Sequence, residues 1–419
     1  MSSEIRLGII GCARILNAHL RGFKILQENG ITNFRIAALC ARKEEDLHRF
    51  RKRGEGPGPR SAPVPNPTDP LNAPHLYVSD LHPDGEPELY LDYREMLEND
   101  SVDAVCIYTG HDNHHTIAAD AMRAGKHAAV EKPMAISVKA AQQMCEVAAE
   151  TGLVLGIDEN AHYSPATQAS AWAVRNGEIG DVVMFYQSAI GGRNFRPDLV
   201  AARTPWRNSK LGAGGGASID LGVHFFNRIR TICGPVKEVN AYSKTLEPTV
   251  VLVDPESREE MESFENQVDD AFFANFRLEN GAIGHLTCAK TTHAVALAFP
   301  GGINVWGRSG ALSDGKIHKD DGTVLDAEEH FNKTALEDVR KDVSPNGITD
   351  PFALEQLDFL TAIQTGRKMK MPGEEGLIDL ALSYAILESA VLGRAVTLEE
   401  VLAGEAEEYQ KEINEHYGL

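Results

Sequence analysis

The first 158 residues alternate short apolar runs with segments whose apolar residues recur every three or four positions. A short apolar run bounded by turn residues is typical of a buried strand, and the wider spacing is typical of an amphipathic helix. The alternation predicts a doubly wound parallel sheet of about six strands, with helices on both faces. The predicted strands are Ile5–Ile10, Phe34–Cys40, Val102–Ile107, Lys126–Val130 and Leu153–Ile157. The predicted helices are one ending at Glu28, Leu91–Asn99, Asn113–Ala124 and Ser137–Glu150.

Residues 54–87 interrupt this pattern, because they are rich in proline and glycine. Proline removes a backbone donor and fixes φ, so the segment is expected to contain no regular element apart from the one strand that completes the six. A long loop in a compact domain is commonly functional or mobile. A lid, an arm used in oligomer contacts and plain disorder all remain open, and the arm is favoured.

Beyond Asp158 the pattern favours a second domain, so the chain is divided into residues 1–158 and 159–419. Alternating apolar and polar residues joined by glycine turns predict a large, mostly antiparallel sheet with helices, which makes the domain α/β. The charged stretch 254–262 is interpreted as a solvated excursion. The predicted strands are Val182–Ala189, Val236–Lys244, Ala271–Leu278, Ala282–Thr291 and Gly302–Val305. The predicted helices are Pro165–Asn176, Ala217–Cys233, Pro351–Gly366, Glu374–Gly393 and Thr397–Tyr417.

Charge and cysteine usage narrow the possible partners. With 41 basic and 61 acidic residues, the formal net charge is −20, which repels a phosphate backbone and disfavours nucleic acid. The six cysteines are scattered without metal-binding spacing, as expected for thiols in a reducing compartment. No export signal or membrane-spanning segment is recognised, so a cytoplasmic protein with no membrane partner is expected.

The first strand ends in a turn, Gly11-Cys12-Ala13-Arg14-Ile15-Leu16, that partly matches the dinucleotide pattern G-x-G-x-x-G. Ala13 is small enough to admit a pyrophosphate, whereas Leu16 is a poorer helix–strand contact than glycine; an ordinary turn remains the alternative. After the second strand, Ala41 stands where an acid would bind the ribose hydroxyl, and Arg42 and Lys43 follow. This arrangement favours NADP over NAD, unless the two cations only begin a solvated helix.

Glu131-Lys132-Pro133 closes a short apolar strand. In open α/β sheets, ligands bind outside the carboxyl ends of the strands, so Lys132 faces either a ligand or a costly burial. The alternative is an ion pair between Lys132 and a nearby carboxylate. The cluster from His111 to His115 also follows a strand, but the spacing of its histidines suits metal only within a helix, and no metal is expected. Instead, Asp112 and Asn113 are expected to cap the next helix at the cofactor crevice.

Asp220 and His224 are four residues apart in the predicted helix Ala217–Cys233, so they share one face. A histidine beside a carboxylate suits a general base, although a satisfied core histidine is the alternative. The loop before this helix contains Arg193, Arg203 and Trp206. They suit an anionic or ring-shaped substrate, or else form a solvated surface loop.

The chain resembles the Gfo/Idh/MocA oxidoreductases, a family named for glucose-fructose oxidoreductase and inositol dehydrogenase. The resemblance covers nearly the whole length except 54–87 and 254–262. It rests on an ordered set of motifs: Gly11-Cys12-Ala13-Arg14-Ile15, Ala124-Gly125-Lys126-His127 with Glu131-Lys132-Pro133, Gly214-Gly215-Gly216 with Asp220 and His224, and Ala385-Ile386-Leu387-Glu388-Ser389-Ala390.

The resemblance implies a Rossmann domain and a C-terminal α/β domain with an open-faced sheet that serves oligomer contacts, giving a dimer or tetramer. It implies NAD(P)-dependent hydride exchange with a secondary alcohol of a sugar, sugar derivative or cyclitol. The implied catalytic residues are Lys132, Asp220 and His224. The implied cofactor-binding residues are Gly11, Ala13, Arg14, Ile15, Arg42, Lys43, Thr109, Asn113, His115, Glu131 and Lys132. The implied substrate-binding residues are Asn160, Tyr163, Arg193, Arg203, Trp206, Asp220 and His224.

The sequence departs from the family pattern at several positions. Ala13 and Leu16 weaken the phosphate-binding turn, and Asp112 stands where proline is usual. His162 and Asn227 replace a common arginine and a frequent aspartate, which leaves the substrate open. Two other functions remain as alternatives: a glycosidase or lyase that oxidises its substrate transiently, and a dinucleotide-binding sensor without catalysis.

Overall fold

The computed structural model describes residues 4–62, 69, 71–191, 204–253, 257, 259–290 and 301–419. They form two compact units. The first contains residues up to 135, 141–164 and 341–376, and the second contains 136–140, 165–340 and 377–419. Residues 341–376 therefore pack with the first unit, although the sequence division places them in the second domain. In the described parts of the chain, no helix is both long and apolar enough to cross a membrane.

The first unit is built on a six-stranded parallel sheet with the order β3-β2-β1-β4-β5-β6. This is the strand order of a dinucleotide-binding Rossmann fold. Its central strands are buried on both faces, as expected for a parallel sheet covered by helices. The strands are β1 Ile5–Ile10, β2 Phe34–Cys40, β3 Glu88–Tyr90, β4 Ala104–Ile107, β5 His127–Glu131 and β6 Leu155–Asp158.

Sixteen α-helices are found among the described residues, together with two 3-10 turns at Pro205–Asn208 and Pro345–Gly347. The helices are α1 Leu16–Glu28, α2 Glu44–Arg51, α3 Val78–Leu81, α4 Tyr93–Leu97, α5 His114–Arg123, α6 Val138–Thr151, α7 Pro165–Arg175, α8 Lys210–Ala213, α9 Ala217–Asp220, α10 Gly222–Cys233, α11 Ala327–Thr334, α12 Glu337–Val343, α13 Pro351–Thr365, α14 Gly373–Leu392, α15 Leu398–Leu402 and α16 Lys411–Tyr417.

The prediction for the irregular segment 54–87 was wrong in two details. The segment contains the short helix α3, where Asp80 accepts a hydrogen bond from the Tyr77 backbone N–H. The strand expected inside the segment is β3, which begins at Glu88, just beyond it. Both elements are too short to leave a clear apolar period in the sequence.

The second unit is built on a nine-stranded mixed sheet with the order β16-β15-β14-β13-β7-β12-β11-β8-β17. Only the β7–β12 pair is parallel, so the predicted, mostly antiparallel sheet is confirmed. Its strands are β7 Val182–Ile190, β8 Val236–Lys244, β11 Ala271–Leu278, β12 Ile283–Ala289, β13 Gly302–Gly307, β14 Gly310–Ser313, β15 Lys316–Lys319, β16 Val324–Asp326 and β17 Val396–Thr397.

A separate two-stranded antiparallel sheet joins β9 Thr249–Val253 to β10 Glu260–Glu265. Residues 260–262 of the charged stretch 254–262 are exposed, as expected for a solvated excursion, but they belong to β10, which was not predicted. The strand carries mainly exposed charged residues, so it lacks the apolar alternation that predicts a strand.

The nine-stranded sheet buries one face and exposes the other. On β11, residues 272, 274, 276 and 278 are buried, whereas 273, 275 and 277 are exposed. Large apolar side chains lie on the exposed face at paired positions of neighbouring strands. For example, Phe273 on β11 pairs with Tyr242 on β8. The exposed fractions are 54% for Phe273, 79% for Tyr242, 58% for Ile283, 41% for Met184 and 39% for Trp306. We call these five residues the open-face patch.

Candidate active site

The turn after β1 brings the backbone against the end of β4. Gly11 has φ +107°, and a Cβ there would lie 2.4 Å from the Tyr108 carbonyl oxygen. Any other residue would therefore clash as well as adopt a left-handed conformation. The end of β2 is also close to this turn, since the Gly11 N–H donates to the Cys40 carbonyl at 2.9 Å. This glycine fixes the turn at the carboxyl edge of the sheet.

The start of α1 fits a dinucleotide phosphate. Ile15 occupies the cap position and makes no side-chain capping hydrogen bond, so no side chain from that position covers the first amide groups. Ala13 is exposed, which suits close approach of a ligand. Leu16 is fully buried in the core, where it packs beneath the turn. The core thus accommodates Leu16 at the position where the dinucleotide pattern has its last glycine.

The residues after β2 lie at the same carboxyl edge. The Ala41 N–H donates to the Tyr90 carbonyl at 3.2 Å, which continues the pairing of β2 with β3. Arg42 and Lys43 are exposed, and Lys43 Nζ lies 4.0 Å from the Glu45 carboxylate. Lys43 is the extended cap residue of α2, whose first turn is acidic.

The turn between β4 and α5 contains Thr109, Asn113 and His115. Asn113 is the cap residue of α5, but its side chain makes no capping hydrogen bond, so the predicted side-chain cap was wrong. Its backbone N–H donates to the Gly110 carbonyl at 3.0 Å instead. His115 is buried and lies 3.3 Å from the Thr116 hydroxyl. Burial lowers the pKa of His115.

His114 connects this turn to the end of β5. Its Nδ1 lies 3.0 Å from the Pro133 carbonyl oxygen and its Nε2 lies 3.3 Å from the Thr109 carbonyl oxygen. The ring is fully buried, and burial lowers its pKa. A ring N–H can donate to either carbonyl, so His114 holds the Pro133 backbone beside the β4 turn. The Lys132–Pro133 peptide bond is cis.

Glu131 is the last residue of β5, and Lys132 follows it at the predicted carboxyl edge. The Glu131 carboxylate lies 2.8 Å from His19 Nε2, on α1. Lys132 is half-buried. Glu131 thus joins the strand that carries Lys132 to the helix that begins at the dinucleotide turn.

Asp220 joins two cations in the second unit. Its Oδ1 accepts a hydrogen bond from Arg207 at 2.9 Å, and its Oδ2 accepts one from Lys290 at 3.0 Å. Arg207 also lies over the Trp206 ring, with its guanidinium carbon 4.6 Å from the ring centroid. Asp220 therefore orders two positively charged side chains on one carboxylate.

The glycine run before Asp220 permits a close approach. A Cβ on Gly216 would lie 1.7 Å from the Asp269 carbonyl oxygen. The buried Asp269 carboxylate accepts hydrogen bonds from the Gly216 and Ser218 backbones, each at 2.8 Å. It also accepts from the Ser218 hydroxyl at 2.8 Å. Asp269 thereby supports the first turn of α9, which carries Asp220.

His224 is half-buried near the start of α10. The predicted single helix Ala217–Cys233 was wrong in one respect, because Leu221 separates α9 from α10. A Cβ on Gly222 would lie 2.9 Å from the Ser383 hydroxyl, so α10 begins where the backbone packs closely on α14. Asn227 is buried and donates to Asp379 at 2.8 Å, which gives it a structural contact within the second unit.

Two other substrate-binding predictions concern the turn after β6. Tyr163 is 5% exposed, and its hydroxyl donates to Asp358 at 2.8 Å. The hydroxyl group of Tyr163 is thus used by a contact inside the first unit, and its assignment to substrate binding stays a prediction. Asn160 is half-buried, and its carbonyl accepts the Tyr163 N–H at 3.2 Å. Arg193 and Arg203 lie outside the described residues.

The sequence analysis missed several residues at these edges. His114, His19 and Lys290 contact predicted site residues, yet each lies far from its partner in sequence or inside a helix pattern. The only local signal was polarity at strand and helix ends, which does not reveal a partner 70 or 112 residues away.

Comparisons with known proteins place this geometry in a family. The description "Oxidoreductase family, NAD-binding Rossmann fold" matches residues 5–159, and "GFO/IDH/MocA C-terminal domain" matches residues 168–313. The chain belongs to the GFO/IDH/MocA oxidoreductase family. Its N-terminal part is an NAD-binding Rossmann fold of an oxidoreductase family, as the resemblance implied.

Relatives within the GFO/IDH/MocA family cover most of the chain at low identity. Myo-inositol 2-dehydrogenase from Thermotoga maritima is 24% identical over 405 residues, covering 95% of this chain and 100% of the relative. 1,5-Anhydro-D-fructose reductase from Ensifer adhaerens is 25% identical over 308 residues, covering 73% and 82%. An Agrobacterium radiobacter oxidoreductase, solved with NAD+, L-tartaric acid and magnesium, has a TM-score of 0.69 at 21% identity, covering 95% and 99%.

Proposed function

We propose that this GFO/IDH/MocA enzyme transfers hydride between a nicotinamide cofactor and a secondary alcohol carbon of a sugar, sugar derivative or cyclitol. The observation that carries the proposal is the position of Lys132, at the carboxyl end of β5 in a sheet with Rossmann strand order. The names of the relatives, an inositol dehydrogenase and an anhydrofructose reductase, favour a polyhydroxylated substrate. The bound nicotinamide would supply the hydride acceptor.

Lys132 is assigned to the substrate oxygen. When the carbinol hydrogen leaves as hydride, negative charge builds on that oxygen, and a fixed ammonium group stabilises it. In a water-excluded site this attraction is stronger than in bulk water. Glu131 and His114 hold the backbone on either side of Lys132, which limits the reorganisation needed during the reaction.

His224 is assigned as the general base that accepts the hydroxyl proton. His224 is half-buried, and a neutral imidazole can accept a proton from a substrate hydroxyl group. Asp220 was expected to orient the imidazole or the substrate. Its contacts with Arg207 and Lys290 extend this role, because they set a cationic surface that suits hydroxyl or anionic groups of a substrate. Trp206, Asn160 and the loop arginines Arg193 and Arg203 remain proposed substrate contacts.

A panel of sugars and cyclitols tests the reaction class. The purified protein is mixed with each compound and with NAD+ or NADP+, while nicotinamide absorbance and product are measured in parallel. A dehydrogenase releases one reduced nicotinamide per product. Product without net reduced cofactor would favour the transient-oxidation glycosidase or lyase. Tight cofactor binding with no product from any compound would favour the sensor.

We propose NADP as the preferred cofactor within the NAD-binding fold. No acid occupies position 41, and the exposed Arg42 and Lys43 can pair with a 2′-phosphate. Ala41→Asp should lower the ratio of kcat/KM for NADP to kcat/KM for NAD by roughly 10-fold or more, because the new carboxylate accepts from the ribose hydroxyl and repels the phosphate. Ala41→Ser is the matched neutral control. An unchanged ratio in Ala41→Asp would contradict the assignment.

We propose that the open-face patch forms contacts between copies of this chain, in a dimer or tetramer. Five large apolar side chains share one exposed sheet face, and such a surface is typical of an interaction site. Phe273→Arg should lower the mass measured by light scattering after gel filtration, because a buried arginine without a partner disfavours association. Leu336→Arg, at a 72% exposed position away from the sheet, is the control. A monomeric wild-type protein would overturn the proposal.

Three further assignments complete the proposal. Residues 1–158 bind the dinucleotide and 159–419 supply the substrate groups, with 341–376 packing on the first unit. The irregular segment 54–87 is proposed as an arm in oligomer contacts. All six cysteines are free thiols, which favours a reducing, cytoplasmic location.

A further inference from the structure

A buried cluster of ionisable groups lies inside the first unit at the carboxyl ends of β5 and β6. Its members are His19 on α1, Glu131 on β5, Asp158 on β6 and Glu355 on α13. His19 and Glu355 are 0% exposed and Asp158 is 4% exposed. One side-chain nitrogen or oxygen atom of each of His19, Asp158 and Glu355 lies within 4.8 Å of the corresponding atoms of the other two. The sequence analysis gave no functional role to Asp158 or Glu355.

The His19 ring is already committed on both sides. Its Nε2 lies 2.8 Å from the Glu131 carboxylate, which can only accept, so Nε2–H donates. The Gln356 side-chain amide donates to Nδ1 at 3.2 Å and to the His19 carbonyl at 2.9 Å. The imidazole also stacks on Tyr108 with ring centroids 3.8 Å apart. Both ring nitrogens of His19 are therefore occupied by side chains of the first unit.

Three oxygens of the two deeper carboxyl groups have no hydrogen-bond partner among the described residues. They are both oxygens of Glu355 and Oδ2 of Asp158. His19 Nδ1 lies 3.7 Å from Glu355 Oε1, beyond hydrogen-bond distance. Other charges that act on Glu355 are acidic, namely Asp158, Glu131, Glu159 and Asp350. A buried pair of ionised carboxylates in these surroundings would be strongly disfavoured.

Strand register links this pair to Lys132. Glu131 and Asp158 are directly paired residues of the parallel strands β5 and β6, so their side chains leave the sheet on the same side. If Glu131 and Asp158 were both ionised, the repulsion between their carboxylates would oppose the hydrogen bond between Glu131 and His19. A proton on the neighbouring carboxyl pair removes part of that repulsion. Glu131 can then keep its hydrogen bond to His19, one residue before Lys132.

We propose that Asp158 and Glu355 together retain one proton at neutral pH, and that this protonated pair is a positioning group for Glu131 and the strand end that carries Lys132. The role at Lys132 rests on the function proposed above, whereas the retained proton does not. Titratable groups face the pair from several segments of the first unit. They are His19 on α1, Cys106 and Tyr108 at the end of β4, Glu131 on β5, Glu159 and Tyr163 after β6, and Asp350 before α13.

The direction of the titration agrees with this geometry. Burial raises the pKa of Asp158 to about 7, although attraction to His19 opposes the shift. Burial followed by the charge of Asp158 raises the pKa of Glu355 well above its ordinary value. The folded protein therefore binds more protons than the unfolded chain between about pH 4 and about pH 7. The free energy of unfolding should fall as pH rises through that window, and should keep falling above it until the pair has lost its last proton.

Thermal unfolding across pH tests the retained proton in the full-length protein. Asp158→Asn and Glu355→Gln mimic the protonated groups. As pH rises, the Tm of each variant should therefore fall less than the Tm of wild type. At about pH 8 each variant should melt higher than wild type by roughly 2–4 °C, with the difference shrinking towards about pH 5. Glu28→Gln, an exposed change on α1, is the control and should follow wild type. Variant curves parallel to wild type at all pH values would overturn the proposal.

Two further readouts keep the test decisive if one variant folds poorly. Infrared difference spectra of wild type should show a protonated carboxyl band near neutral pH, lost in either variant; absence of the band in wild type would overturn the proposal. A bound metal ion, in place of the proton, is the alternative for such a cluster. Metal analysis of the purified protein, and melting curves with a chelator or with added Mn2+, test it. One bound divalent ion per chain, lost in Glu355→Gln, would also overturn it.

The positioning role has its own measurement. In wild type, kcat should decline as the pair ionises above about pH 7, whereas kcat of Glu355→Gln should depend less on pH with KM little changed. Equal pH dependence in the two proteins would contradict the positioning role. If no substrate supports turnover at all, the proposed function fails, while the melting and infrared results still decide whether the proton is retained.

Discussion

Replacing Lys132 with methionine should lower kcat by about 10²–10³ while the protein stays folded. Methionine keeps most of the side-chain volume of lysine and removes the charge that stabilises the developing alkoxide. KM and cofactor affinity should change much less, because the lost interaction forms mainly in the transition state. Steady-state kinetics with the best substrate of the panel measure the changes in kcat and KM, and cofactor titration measures the change in cofactor affinity.

Lys132→Arg is the informative companion variant. Arginine keeps the charge but differs in shape and in the placement of its donors, so it should recover only part of the lost kcat. Melting curves of both variants should overlay that of wild type. Near-normal kcat in Lys132→Met would remove Lys132 from the chemistry and leave it as a structural cation.

Replacing His224 with alanine should lower kcat by roughly 10²–10⁴, the usual contribution of a general base. Added imidazole should restore part of the rate, because it can enter the space left by the side chain and accept the proton. His318→Ala, at an exposed position on β15 in the same unit, is the matched control. Its kcat should equal that of wild type.

The double variant Lys132→Met/His224→Ala adds a check on the shared step. If both side chains serve one proton and hydride transfer, the double variant should be only slightly slower than the slower single variant. Full multiplication of the two losses would show that the residues act independently. Retention of wild-type kcat in His224→Ala would favour the core-histidine interpretation.

Much of the scaffold could be predicted from local patterns. The bounds predicted for β1, β2, β8 and β11 match those in the structure, because each is an apolar or alternating run ended by a turn or a change of pattern. The order of the six-stranded sheet follows from alternating strands and helices with right-handed crossovers. The positions of Gly11 and Lys132 at strand ends were predicted for the same reason.

The partners of the site residues could not be predicted in this way. Glu131 meets His19 across 112 residues, and Gln356 meets His19 across 337. Asp220 was expected to serve His224 by helical spacing, yet its carboxylate also orders Lys290, 70 residues later. Tyr163 followed the family motif, but its hydroxyl is used inside the core by Asp358. Such pairings depend on tertiary packing, which local periodicity does not encode.

The short elements were missed for a related reason. β9, β10 and α3 are brief. β9 and β10 pair with each other through their backbones, and α3 has only four residues, although it buries Val78 and Leu81. The break between α9 and α10 lies directly before Gly222, where the backbone packs closely against Ser383. A pattern search over ten or more residues averages over features of this size.

The central claim is that this chain oxidises or reduces its substrate by net hydride exchange that depends on Lys132. A single-turnover measurement tests it most directly, using wild type and Lys132→Met at enzyme concentrations above that of the cofactor. We expect stoichiometric formation of reduced nicotinamide in wild type with the best alcohol of the panel, slowed by about 10²–10³ in Lys132→Met. Equal rates in the two proteins, or product formed without net reduced nicotinamide, would contradict the claim.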